Sequence, residues 1–486
     1  MLTRLQATSR LLAAALAALL APAAMAQTIG PDIISSATND VGRYGVDAAG
    51  TTAAYAVGAV TCNRGDLPAA VSTTTSVRPL IAQNMYRLKA VPGAGYQRFE
   101  QVGQGWVKRV SGPVGGQVSS CGTCVQAGTG YMGVGCADIY SSGFNGAQGL
   151  LGPRSMCNAT LGTSAGGAGT SVGDVITRGR LQVPTADIVN QPAGTKFFVE
   201  TVHLLPDDAQ YVRAGQTIAM NAMNNAASQE IDIRGGTLVP LLIGPANRQV
   251  PALQRWADAD PGVVLVTADH DDTPNPNTAF PGTFVRSRYY AAVRVTRLDS
   301  GHWRYEYAVF NLNSDRAGGT FTLPLPDGAS MTDYSFHHPL SHSGEPYSNA
   351  PWAFSLAGGS LTFFTDTYAA NPNANAIRWG TTYNFGFTST AAPGQGEANL
   401  GLFRPGAIAH VTFAGLSVPA VAPCSGDFNR DGEAATDGDI AAFFACLAGN
   451  CCAACDPHGA DFNADGDAAT DADIESFFRV LAGGSC

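Results

Sequence analysis

The chain has 486 residues, of which 14% are charged and 57 are glycine. It holds 28 basic and 38 acidic residues, for a net charge of −10. Scattered, sparse cations leave no footprint for nucleic acid, and abundant Gly with Thr, Ser and Asn suits strands and turns better than a helical bundle.

The first 26 residues read as a signal peptide. Arg4 and Arg10 precede an apolar run from Leu11 to Leu20, and Ala24-Met25-Ala26 is a small-x-small cleavage site. The run is too short to span a bilayer. A mature chain starting at Gln27 is expected to be secreted or held at the cell surface, and not to span a membrane.

Residues 27–180 read as a Gly/Ser-rich, Cys-containing β region. Short β-prone pieces such as Thr52–Val57, Gln83–Leu88 and Gly105–Val110 alternate with loops, and Leu161–Gly169 reads as an exposed loop. Gly162-Thr-Ser164-Ala-Gly166 matches the spacing of a nucleophile elbow, but it lacks the preceding strand and following helix. Cys62, Cys121, Cys124, Cys136 and Cys157 fall here. Export makes disulfides the default, with zinc at Cys121, Cys124, Cys136 and Cys157 as the alternative.

Residues 181–416 read as a β-sandwich domain. Val285–Leu298 and His302–Leu312 form the best hairpin, turned by Asp299-Ser-Gly301. Trp303, Tyr305, Tyr307 and Val309 alternate with Arg304, Glu306 and Ala308, the period of a half-buried strand. Helix candidates are limited to pieces near 209–225 and 251–257. The body is therefore expected to be mainly β, as one elaborated or two packed sandwiches. Residues 417–423, with Pro419 and Pro423, read as a linker.

Two polar clusters in this region could carry chemistry. Asp269-His270-Asp271-Asp272 places carboxylates around a general-base candidate, although its surroundings read as an exposed loop. His337, His338, His342 and Glu345 lie within nine residues and offer a transition-metal ligand set. Tyr86, Trp106, Trp303, Trp352 and Trp379 are candidates for a sugar-stacking surface.

The tail, residues 424–486, carries most of the net charge, with 12 acidic and 2 basic residues, and six of the 11 cysteines. Asp427-Phe-Asn-Arg-Asp-Gly-Glu433 recurs 34 residues later as Asp461-Phe-Asn-Ala-Asp-Gly-Asp467. In an EF-hand-like loop the first, third and fifth residues give side-chain oxygens, a glycine follows, and a carbonyl comes next. Asp427, Asn429, Asp431 and Glu433 hold those places in the first copy, and Asp461, Asn463, Asp465 and Asp467 in the second. Two calcium ions are expected. Ile440, Phe443, Phe444 and Leu447, repeated as Ile474, Phe477, Phe478 and Leu481, give each loop a following helix with one apolar face. A small α-helical module is expected, stapled by disulfides whose pairing the sequence does not select.

On these residues the tail resembles a dockerin module, and more closely the Cys-rich, dockerin-like module of exported planctomycete-type proteins that ends in a Gly-Cys-type terminus. Here that end is Leu481-Ala-Gly-Gly-Ser-Cys486. The resemblance implies calcium at the residues just named and a cohesin-like or cell-surface receptor as partner. Each loop is one residue longer than the ordinary dockerin loop. The closing carboxylate falls to Asp437 or Asp439 in the first copy and to Asp471 or Asp473 in the second.

The body resembles an uncharacterised group of exported bacterial proteins through Ile81–Leu88, Gly133–Asp138, Leu151–Ser155, Tyr305–Arg316 and Arg378–Phe385. Cys62, Cys121, Cys124 and Cys136 fall within its familiar stretches and Cys157 does not, so the resemblance leaves Cys157 as the unpaired thiol.

The leading expectation is an exported, non-catalytic β-sandwich protein anchored to a surface or extracellular assembly by its calcium module. The alternatives are a polysaccharide-acting hydrolase or carbohydrate-binding protein, and a metal-dependent enzyme using His337, His342 and Glu345.

Overall fold

The computed structural model describes residues 29–71, 79–91, 96–109, 116–147, 152–165, 172–234, 237–326, 328–420, 424–456, 458–463 and 467–484. Residues 1–26, where a signal peptide is expected, residues 421–423 and Asp465 lie outside these. Among the described residues no helix is long and apolar enough to cross a membrane.

The body is built from three large sheets. The first has nine strands, in the spatial order Val239–Arg248, Ala226–Arg234, Lys196–Leu204, Leu80–Val91, Tyr96–Gln104, Leu181–Pro184, Thr52–Val57 and Val41–Val46, with Lys108–Arg109 added beside Leu80–Val91. The second has six, ordered Ile218–Ala219, Phe284–Arg297, Trp303–Asn311, Thr381–Ser389 and Met331–His337, with Val263–Pro274 on Phe284–Arg297. The third runs Ala353–Ala357, Ser360–Phe364, Gly318–Pro324, Ala392–Leu402 and His410–Ala420.

The second sheet is the middle layer. Tyr305, Tyr307, Val309 and Phe385 pack against Phe321, Leu361, Phe363 and Phe413 of the third sheet. On the opposite face Ala308 and Phe310 join Tyr86, Phe99 and Phe198 of the first sheet, with Trp256 of the short helix Gln254–Ala259. Burial of two apolar faces on one sheet gives the chain its main hydrophobic stabilisation. The first sheet also curls around a core of its own, which includes Tyr55, Met85, Val183, Val199 and Ile231. The hydroxyl of Tyr55 reaches across that curl to donate to the Leu238 carbonyl at 3.0 Å.

The expected hairpin is present with its turn, closed by Leu298 N–H to His302 O at 2.8 Å. Its strand Trp303–Asn311 is not half-buried, however. Arg304 and Glu306 are also buried, because their face meets the first sheet rather than water. The two charges are held as a pair, Arg304 Nε to Glu306 Oε1 at 2.7 Å, and Arg98 of the first sheet adds Nε to Glu306 Oε2 at 2.9 Å.

The expected boundary near residue 180 does not divide the fold. Leu181–Pro184 pairs with Thr52–Val57, and Lys196–Leu204 pairs with Leu80–Val91, so both regions share the first sheet. The expected linker also starts too early. Ser417–Ala420 completes the strand His410–Ala420, an edge strand of the third sheet, where Pro419 is tolerated. Of the helix expected near 209–225 only the short helix Pro206–Ala209 and a single turn, Asn221–Asn224, are present.

Disulfides join Cys62 to Cys121 and Cys124 to Cys136, which replaces the zinc alternative, and Cys157 is free and buried. In the tail Cys446 pairs with Cys451, Cys452 with Cys455, and Cys424 is also disulfide-bonded. The tail helices are Asp437–Leu447 and Asp471–Leu481. They meet through Phe443 and Phe477, stacked with centroids 4.0 Å apart, and the loop residues Phe428 and Phe462 complete that core. One ring per helix fills the space, so Phe444 and Phe478, expected inside, are each 45% exposed.

Candidate metal centre

Each tail helix begins on a threonine. Thr436 caps the first helix, and Asp439, its third residue, returns the bond. Asp439 Oδ2 accepts from the Thr436 N–H at 2.9 Å and hydroxyl at 2.8 Å. Asp473 takes the same two bonds from Thr470, each at 2.8 Å. The other carboxylate oxygen reaches back into the loop. Asp439 Oδ1 accepts from Asn429 N–H at 3.1 Å, and Asp473 Oδ1 from Asn463 N–H at 3.3 Å.

This separates the two closing candidates. Asp439 and Asp473 are fully buried and turned into their loops, whereas Asp437 and Asp471, the first helical residues, are exposed. Burial works against the charge of Asp439. The backbone N–H groups of Thr436, Asn429 and Phe428 and the Thr436 hydroxyl outweigh it and hold the carboxyl below its usual range. Asp473 is held down by the matching groups of its own loop.

Each loop turns sharply just ahead of its capping threonine. Ala435 adopts a left-handed φ of 62° and donates its N–H to Gly426 O at 2.8 Å. Ala469 repeats this with φ of 60° and a 2.7 Å bond to Ala460 O. Gly432, at φ 95°, supplies the sharp turn after Asp431.

Within the first loop the side-chain oxygens fold inward onto backbone N–H groups. Asp427 accepts from Asp431 N–H at 3.1 Å and Gly432 N–H at 3.0 Å. Asn429 Oδ1 accepts from Asp431 N–H at 3.0 Å, and Asp431 Oδ1 from Glu433 N–H at 2.9 Å. Glu433 is exposed. Among the described residues no three His, Cys, Asp or Glu side chains are already grouped to hold a metal. The donor set is nevertheless all oxygen, which suits a hard cation. A carboxylate has about four acceptor sites and an amide oxygen two, so these N–H bonds leave lone pairs on Asp427, Asn429 and Asp431, whereas Asp439 would exchange one of its four bonds for the ion. In the second loop Asp461, Asn463 and Asp467 are described, and Asp465 lies outside the described residues.

The His-rich segment of the body does not assemble as a ligand set. His337 Nε2 lies 2.9 Å from Gln101 O, and His338 Nδ1 lies 3.0 Å from Pro339 O. Only His342 and Glu345 meet, Nε2 to Oε1 at 3.0 Å. The Glu345 carboxylate also accepts the backbone N–H groups of Arg154 and Ser155. Burial works against its charge, but His342 and Ser155 outweigh it and keep the carboxyl low. The pair latches its loop onto the turn Arg154–Met156.

The second polar cluster lies on a strand, Val263–Pro274, not on a loop. Asp269 pairs with Arg288 and Asp271 with Arg286, both from the neighbouring strand. His270 points inward. Its Nδ1 lies 2.7 Å from Asp272 Oδ1 and its Nε2 2.9 Å from Ser314 Oγ. This is a Ser–His–Asp chain, and Ser314 gave no signal in the sequence. Ser314 is completely buried, so the chain has no substrate-facing end. It works as an internal strut that also engages Arg316 through Asp272.

A third polar cluster was likewise not anticipated. Arg154 is buried between the first and second sheets, where it donates to the carbonyls of Gly105 at 3.0 Å, Gln83 at 2.8 Å and Gly380 at 2.9 Å. Glu200 beside it accepts from Tyr86 at 2.9 Å and Asn84 at 2.7 Å, and burial raises its carboxyl. Nothing local in the sequence tells Arg154, a buried anchor, from a surface cation. The proposed aromatic surface is absent: Tyr86, Trp106, Trp352 and Trp379 are buried in the core, and Trp303 is partly buried.

No family model and no curated protein matches the chain. Among solved structures it was matched to the serine-rich repeat adhesion glycoprotein (Srr1) of Streptococcus agalactiae, at 8% identity and a TM-score of 0.16, covering 80% of this chain and 96% of that one. It was also matched to the N-terminal domain of the Streptococcus gordonii adhesin Sgo0707, at 8% identity and a TM-score of 0.14, covering 75% of this chain and 61% of that one. Scores this low carry no argument about fold or function.

Proposed function

We propose that the protein is an exported, non-catalytic β-sandwich protein, anchored to a surface or extracellular assembly through a calcium-binding, dockerin-like tail. The observation that carries this reading is the duplicated loop and helix. In each copy a buried aspartate, Asp439 or Asp473, ties the first helical turn to the third loop residue. Calcium would supply the positive centre on which the loop oxygens converge. Asp427, Asn429, Asp431, the Glu433 carbonyl and Asp439 would hold one ion, and Asp461, Asn463, Asp465, the Asp467 carbonyl and Asp473 the other. The exposed rings of Phe444 and Phe478, 6.2 Å apart, give a cohesin-like or cell-surface receptor an apolar place to dock.

The non-catalytic part of the reading rests on how the body spends its reactive groups. His270, Ser314, His342 and Glu200 are buried, the side chain of Glu345 is nearly so, and all are engaged with other side chains or with backbone. A metal-dependent enzyme built on His337, His342 and Glu345 draws no support from their geometry.

Calorimetric titration of the full chain with calcium, together with limited proteolysis with and without chelator, tests the reading. Two binding events are expected, with chelation opening the tail to protease and leaving the body resistant. No calcium uptake, or a tail equally resistant under both conditions, overturns it.

A further inference from the structure

The body has a cleft of about 500 Å³ where loops of its layers meet. One wall is the small hairpin Cys157–Asn158 and Thr163–Ser164. The other holds Asp315, just beyond the middle-layer strand Trp303–Asn311, and Arg404, just beyond the third-sheet strand Ala392–Leu402. Asp315 and Arg404 form an ion pair across the cleft wall. The Arg404 backbone N–H is fixed to Arg316 O at 2.9 Å, and the Asp315 N–H to the Thr160 hydroxyl at 3.0 Å. Both charged groups therefore stand on anchored backbone.

The lining selects a kind of ligand. Pockets for small molecules typically measure about 300–1,000 Å³ and are mostly apolar. This one is within that size but is mixed, with Met156, Cys157 and Ala165 beside Asn158 and the charged Asp315 and Arg404. An apolar ligand would strip water from the polar part of this lining without replacing its hydrogen bonds, which is costly. Asp315 and Arg404 balance each other's charge, so no surplus cation awaits an anion. A neutral molecule bearing adjacent hydroxyls satisfies both. One hydroxyl donates to the carboxylate and its neighbour accepts from the guanidinium, with Ser155, Asn158 and the hairpin strand Thr163–Ser164 bordering the same cleft.

We propose that this cleft binds a neutral sugar unit, held by hydrogen bonding at Asp315 and Arg404 rather than by aromatic stacking. The site is independent of the tail and of its calcium.

The test uses the full chain with chelator present, so that failure of the calcium reading leaves it intact. Calorimetry and ligand-observed NMR would be run with glucose, galactose, mannose, xylose, N-acetylglucosamine and cello- and manno-oligomers, with galacturonate as the charged comparator. Binding of at least one neutral sugar is expected. Asp315→Asn should weaken it about tenfold, the effect of losing one charge-assisted hydrogen bond. Because that change also breaks an ion pair, Ala165→Trp is the second variant. Ala165 is exposed on the cleft rim, and the indole should fill the cleft and abolish binding without moving the melting temperature. The proposal is overturned if no neutral sugar of the panel binds, if binding survives Ala165→Trp, or if galacturonate binds more tightly than galactose.

Discussion

The carboxylate of Asp439 accepts the backbone N–H of Asn429 at 3.1 Å, so the first turn of a tail helix is tied to the loop before it. Asp437, two residues earlier, is exposed. On the calcium reading the buried carboxylate closes the loop. Asp439→Asn should therefore weaken calcium binding at the first loop by about tenfold or more, since a hydrogen-bonded charge contributes roughly 1.5–3 kcal/mol. Asp437→Asn should change it only a few-fold. Calcium titrations of both variants decide the matter, and the reverse order would assign closure to Asp437.

Ala435 and Ala469 hold left-handed backbone at φ of 62° and 60°. A Cβ is disfavoured there, and glycine removes the penalty. Ala435→Gly is expected to stabilise the tail by about 0.5–1 kcal/mol, after allowing for the greater freedom of glycine in the unfolded chain. Scanning calorimetry of the tail transition reads the change. A lowered transition would show that the residue is not held left-handed in solution.

The tail was far more legible in the sequence than the body. Its loop and helix signals are local: alternate oxygen donors, a turn glycine, and apolar residues at helical spacing. Pattern alone missed that only one of two adjacent phenylalanines fits between the helices, because that depends on Phe428 and Phe462 arriving from the loops. In the body, strand periodicity located Trp303–Asn311 and its hairpin partner, but could not show that the first sheet covers Arg304 and Glu306. The same limit hid Ser314 behind His270, 44 residues away in the chain. It also hid Arg154, whose carbonyl partners come from segments as distant as Gln83 and Gly380. Local pattern reports which residues alternate, not which layer they will meet.

Gly386 illustrates that dependence on the third dimension. A Cβ on it would lie 2.5 Å from Arg304 Nη2, 2.5 Å from Ser335 Oγ and 2.9 Å from Glu306 Oε2. All three belong to the buried network that also holds Arg98. Gly386→Ala must displace a charged group that has no water to move into. A loss of about 1–3 kcal/mol is expected from the overpacking, read as a shift of the urea midpoint of the body. A variant as stable as the parent would mean that the network yields at no cost.

Glu100 gives the body an acid-sensitive component of stability. It is paired with Arg87 at 2.7 Å and Lys89 at 3.1 Å. Burial works against its charge, but His337, Arg87 and Lys89 outweigh it and hold its carboxyl at about 2, against an ordinary 4.5. A carboxyl depressed by folding stabilises the native state fully above the unfolded value. That contribution is lost as pH falls through the folded value. The shift corresponds to about 3 kcal/mol, lost progressively between about pH 5 and about pH 2. Glu100→Gln removes the titrating group. The stability gap between the parent and this variant, from urea unfolding at several pH values, should therefore close as pH drops through that window. A gap that stays constant across it would mean that Glu100 keeps its ordinary pKa in the folded chain.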